Sequence, residues 1–181
     1  MENNLKDEST SKGPMLTGMF ADRESTESAY NALSERGYTK DEINLVMSNE
    51  TRNKYYSDKN DDTELGTKAA ETAGTGSAIG GTVGAIVGVI AAIGTSLVIP
   101  GLGLIIAGPL AAGLAGAGAG GIAGGLIGAL VGSGIPEERA KIYESGINSG
   151  NVVMGVNPRN DEDAEYLEQN WKTNRGQDIY R

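Results

Sequence analysis

The 181-residue sequence predicts an α+β fold in which a small βαβ…αβα domain is interrupted by a long uncharged helical hairpin. Three observations support this. No charged residue occurs between Glu71 and Glu137, a run of 65 positions. Within that run glycine recurs at every fourth residue in two series. On either side, short apolar runs alternate with stretches that carry helix-start and helix-stop residues.

Residues 1–14 are polar, with no apolar core for a secretion signal, and are expected to be a disordered tail in a chain that stays where it is made. Residues 15–48 form the first half of the domain. Met15–Phe20 is a short apolar run suited to a buried strand. Asp22 can cap a helix beginning at Arg23, with Ala29, Tyr30 and Leu33 on its apolar face and Gly37 as its stop. Ile43, Leu45 and Met47 alternate as a second strand. Residues 49–67 are polar and charged and read as a linker.

Residues 135–171 form the second half. Pro136 suits a first helical turn, and Glu137 and Glu138 follow near the positive helix end. Ala140, Ile142, Tyr143 and Ile147 keep helical spacing until Gly150. Val152–Val156 reads as a third strand. A last helix from Asp161 to about Trp171 presents Ala164, Tyr166, Leu167 and Trp171, and 172–181 reads as a loose tail. Each half alone is too small to bury much apolar surface. Together they suggest a ferredoxin-like sandwich whose halves meet at the base of the insert.

The insert spans 68–134. Gly76, Gly80, Gly84 and Gly88 form one series, and Gly116, Gly120, Gly124, Gly128 and Gly132 form the other. A four-residue repeat lies nearly on one helix face, so each series makes a groove that a second backbone can approach. Each interior glycine costs roughly 1 kcal/mol relative to alanine in a helix, so burial must offset the cost. In lipid the backbone has no other partner and helix is nearly forced.

Ala78–Ile99 and Leu110–Val131 are 22 residues each, against roughly 20 needed to span. The first holds ten Ile, Leu or Val and the second seven, so the second is expected to insert as the partner of the first. Pro100, Gly101, Gly103, Gly108 and Pro109 mark 100–109 as the turn. That turn has no charged side chain. Such a tip is unusual for a loop emerging into water, but apolar length and backbone satisfaction favour a spanning hairpin over a re-entrant one and over a soluble assembly that hides the tip.

The charges narrow the function classes. The net charge is −9, with 15 acidic and 9 basic residues in 1–71, and 9 acidic and 6 basic in 137–181. No basic cluster exists to hold nucleic acid, and acidic flanks do not adsorb to anionic lipid. With no cysteine and no histidine, disulfides, thiolate metal sites and the usual general base are absent. All Lys and Arg lie on either side of the uncharged run, within 1–71 and 137–181, which places both flanks on the cytoplasmic side of a membrane.

No motif points to a cofactor, a metal or a small-molecule substrate. Gly116–Gly121 matches G-x-G-x-x-G in form but lacks the preceding strand and the later acid of a dinucleotide site. Asp58–Asp62 resembles the start of a calcium loop but has Thr63 and Ala69 where glycine and glutamate belong. Asp161–Asp163 reads as an acidic helix start. No catalytic residue is assigned.

Three stretches resemble a known family. Thr17–Tyr30 (TGMFADRESTESAY), Leu33–Tyr38 (LSERGY) and Asp41–Met47 (DEINLVM) look like the bacterial general-stress, or heat-induced stress, protein domain. Gly134–Glu144 with Gly150–Val156 is similar to the closing helix and strand of members that carry a glycine-rich insert. The resemblance covers about residues 15–171 and implies a bacterial, stress-associated, non-enzymatic membrane protein with no catalytic residues to carry over. The expected partners are the lipid bilayer of the inner membrane and further copies of the chain. A cytoplasmic self-assembling shell is the first alternative. A pore is the second, disfavoured because neither helix has a polar stripe.

Overall fold

In a computed structural model the described residues are 14–56, 97–99, 103–112 and 125–181. They form β1 (Leu16–Phe20), α1 (Arg23–Glu35), β2 (Ile43–Ser48), α2 (Asn49–Tyr55), β3 (Leu97–Ile99), β4 (Leu104–Ala107), α3 (Gly125–Gly132), α4 (Glu137–Asn148), β5 (Val152–Val156), α5 (Asp161–Thr173) and β6 (Gln177–Tyr180). The mixed α/β class agrees with the sequence reading.

The six strands make one sheet in the order β3-β4-β2-β5-β1-β6, and every ladder is antiparallel. β5 lies between β1 and β2, so α1 carries the chain across one strand. Leu16 opposes Val156 on one side of β5, and Ile43 opposes the same Val156 on the other.

β1, β2, β4 and β5 are buried on both faces, and period-two alternation divides their side chains into two cores. Leu16, Phe20, Ile43, Leu45, Met47, Ile105, Ala107, Val152, Met154 and Val156 face α1 and α5. Met19, Val46, Leu104, Ile106 and Val153 face α3 and α4. This explains why β1, β2 and β5 read as nearly continuous apolar runs rather than as polar–apolar alternation.

The helix starts follow local chemistry. Asp22 accepts from the Ser25 amide and Asn160 from the Asp163 amide, each at an extended N-cap. Gly37 takes φ +77° just past α1. Trp171 anchors the first core, fully buried and edge-on to Phe20 at 5.6 Å. Gly18 of β1 lies beneath it; a Cβ there would sit 3.0 Å from the indole.

Two stretches differ from the sequence reading. Residues 49–55, expected to belong to a linker, form α2 because Ser48 leaves its strand and caps the helix through the Thr51 amide. That turn carries Tyr56 into the first core. The 172–181 stretch, expected to be loose, holds the end of α5 and then β6, which pairs with β1 at Thr17–Tyr180 and Met19–Gln177. The four residues of β6 are too few for periodicity to register, and the edge they pair with exists only once the sheet has formed.

Burial pushes the Tyr56 phenol up to about 12 and holds Tyr30, Tyr38 and Tyr143 above their ordinary value. Above pH ~10 the unfolded chain loses phenolic protons that the folded chain keeps, so stability falls as pH rises toward 12. The urea midpoint is therefore expected to drop through this window, less steeply in Tyr56→Phe. Identical pH profiles for the two chains would exclude this role for Tyr56.

Candidate functional site at the base of the uncharged run

The feature that sets this chain apart is its uncharged run, and the candidate site is where that run joins the domain. The first join is a β-hairpin. Leu97–Ile99 pairs with Leu104–Ile106, and Leu104–Ala107 pairs with Leu45–Ser48, so β3 and β4 extend the sheet beyond β2. Gly103 turns between them at φ +61°, and its carbonyl accepts from the Asn49 amide at 2.6 Å.

The second join follows β4. Gly108 adopts φ +88°, and any Cβ there would collide with the Ile43 carbonyl oxygen, so only glycine fits. Pro109 comes next. The Leu110 amide then donates to Asn44 Oδ1 at 2.8 Å, while the other end of the Asn44 amide donates to the Gly155 carbonyl at 3.3 Å. Asn44 is fully buried with both ends of its side chain satisfied, which makes it a latch between β2, β5 and the uncharged run.

The third join is α3. Leu126, Ala129 and Leu130 are buried with Ala140, Tyr143 and Ile147 of α4. Eight of the fourteen described residues in this second core, from Leu104 to Ile135, belong to the uncharged run. Six of the eight are Leu or Ile, and at ~1.5–3 kcal/mol each their gross burial is on the order of 10 kcal/mol. These parts of the run are structural members of the fold.

This corrects the expected geometry in two places. Leu97–Ile99, expected to close the first helix, is a strand, and Leu104–Ala107, expected to lie in the turn between two helices, is a strand paired with it and with β2. β2 offers a free backbone edge, and the branched side chains of 104–107 suit a pleat. Among the turn residues, Gly103, Gly108 and Pro109 are described, while Pro100 and Gly101 lie outside the described residues.

Of the glycine series, Gly128 and Gly132 lie on α3, and a Cβ at either would meet open space. Gly76, Gly80, Gly84, Gly88, Gly116, Gly120 and Gly124 lie outside the described residues, as do Asp58–Asp62 and Gly116–Gly121. No helix among the described residues is long and apolar enough to cross a membrane.

The joins set a limit on reach. Between Ala111 and Leu126, both in the second core, run 14 residues. Fully extended, they reach roughly 50 Å, short of the ~60 Å needed to cross a ~30 Å hydrocarbon layer and return. The 25 uncharged residues 72–96 amount to about 38 Å of helix, again less than two crossings.

Elsewhere the polar groups are engaged with one another. Asp163, expected as part of an acidic helix start, accepts from Arg36 at 2.6 Å and from the Tyr38 hydroxyl at 2.9 Å, which ties the end of α1 to the start of α5. Arg159 lies over the Tyr38 ring and pairs with Glu42. Donation from the Thr39 amide, ahead of the Arg159 contact, holds the Glu42 carboxyl below its ordinary range. The buried Tyr143 hydroxyl donates to the Asp178 carbonyl and bonds Thr17, which fixes β6 against α4. Among the described residues no group of three or more His, Cys, Asp or Glu can hold a metal. A cleft of about 270 Å³ between Met15, Gly134, Ile135, Asn157 and Tyr180 has no charged lining.

Asn44 escapes a reading by composition because a single Asn in an apolar strand looks like a solvent-facing position. Its one signal is that it shares the strand face of Val46. No family model, no curated protein and no solved structure matches this chain.

Gly108→Val is expected to cost about 2 kcal/mol or more through backbone strain, and Asn44→Ala about 1–3 kcal/mol by leaving the Leu110 amide without its acceptor. Urea melts of both variants check this. A midpoint equal to wild type for Asn44→Ala would show that Asn44 is no latch, and one for Gly108→Val that a side chain is accommodated beside the Ile43 carbonyl.

Proposed function

We propose that this is a bacterial stress-associated, non-enzymatic protein that uses its uncharged run to attach to the cytoplasmic face of the inner membrane and to self-associate. The observation behind this reading is the 65-residue stretch without a charge, rooted at three places in a folded α+β domain. Lipid penalises every charge, and this run carries none. The stress association rests on the resemblance of 17–47 and 134–156 to the general-stress domain. A ferredoxin-like description of the domain draws support from the order β2-β5-β1-β6 and the α1 crossover. The zipper reading draws support from the open sides of Gly128 and Gly132.

A second reading has its own support. β3, β4 and α3 are buried within the protein itself, so the rest of the run can be buried by neighbouring copies in a soluble shell. Flotation with membranes and resistance to carbonate extraction are expected for the first reading. Large detergent-free particles that leave membranes empty would favour the second, and a soluble monomer would exclude both. Gly128→Leu with Gly132→Leu is expected to lower the oligomer size on detergent sizing; an unchanged size would remove these two glycines from the contact.

A further inference from the structure

The described parts of the uncharged run have two competing uses. Leu97–Ile99, Leu110–Ala111 and Leu126–Leu130 are pieces of the sheet and second core. The same residues are the ends of Ala78–Ile99 and Leu110–Val131, the only two stretches with spanning length. A residue held against Val46 and Tyr143 cannot also lie in lipid. With Ala111 and Leu126 docked, the chain between them is too short to cross and return.

The docked pieces are also built to leave. β4 pairs inward only with β2 and outward only with β3, so the hairpin is the terminal part of the sheet. No residue from 97 to 132 is charged, so no ion pair holds it. Among the described residues, besides the ladder and apolar packing, its polar ties to the rest of the domain are the Asn44–Leu110 and Asn49–Gly103 hydrogen bonds. Lipid is as apolar as the second core, so these side chains lose little on exchanging one for the other.

We propose that β3–β4 and α3 form a releasable cover: docked on the second core in water, and undocked when the chain meets a bilayer, which lets the run insert fully. This rests on the membrane reading above. It makes insertion conditional, because the domain shields the ends of its own anchor until lipid competes for them.

The chain has no cysteine, so a pair introduced at Val46→Cys and Ile106→Cys, directly opposed in the β2–β4 ladder, gives a single lock. Flotation with phosphatidylcholine vesicles is read for the same variant oxidised and reduced. The reduced form, whose docked core is weakened by the two truncations, is expected to float at least as much as wild type, and the oxidised form about tenfold less than the reduced form. Equal flotation of both forms would overturn the proposal while leaving membrane attachment standing. Flotation of neither the wild type nor the reduced variant would overturn the attachment and the cover together. Hydrogen exchange on the unmodified chain is independent of the lock: amides of 104–107 should be protected in water and lose protection on vesicles. Protection that persists in the vesicle-bound protein would also overturn the proposal.

Discussion

A sheet that is apolar on both faces must be covered on both, and this requirement organises the whole chain. β5 between β1 and β2 fixes the two faces at once, because each of its residues sets the register of both neighbours. One face is closed by α1 and α5 around Trp171. The other has only α4 from the charged flanks, and α4 alone is too narrow. The shortfall is made up by the uncharged run, through Leu104 and Ile106 from the sheet edge and Leu126 and Leu130 from α3.

That arrangement changes the meaning of the insert. A simple anchor would leave its domain at one point and return at another, with the domain closed beneath it. Here the second core is incomplete without residues of the uncharged run. In the proposed cover, burial of the second core and insertion into lipid draw on the same residues, and the surroundings decide between them. Among the described residues, the polar fasteners that hold the uncharged run are sparse, while those on the opposite face are dense. Arg36, Tyr38, Asp163, Arg159 and Glu42 link α1, the following loop and α5, while Asn44 alone joins β2 to Leu110 by a side chain.

Much of the domain was legible because its signals are local. Asp22 and Asn160 cap their helices through bonds three residues away, and β1, β2 and β5 each hold enough consecutive apolar residues to stand out. The candidate site was legible only as a composition. Its charge-free extent and glycine spacing are visible in one dimension, but Leu97–Ala107 has no feature that separates a strand pair from a helix end and a turn. Asn44 and Gly108 matter only because a strand 66 positions away by the Asn44–Leu110 bond comes alongside.

The sequence by itself determined the α+β class, the boundaries of β1, α1, β2, α4 and β5, the absence of charge from 72 to 136, and hence the need to bury that stretch. Those properties depend on neighbours within a few residues. The tertiary structure decided that 49–55 is a helix, that 177–180 is a strand, and that the root of the uncharged run completes the second core. Each of these depends on a backbone edge or an apolar face supplied by distant residues, and such a partner exists only after the sheet has assembled.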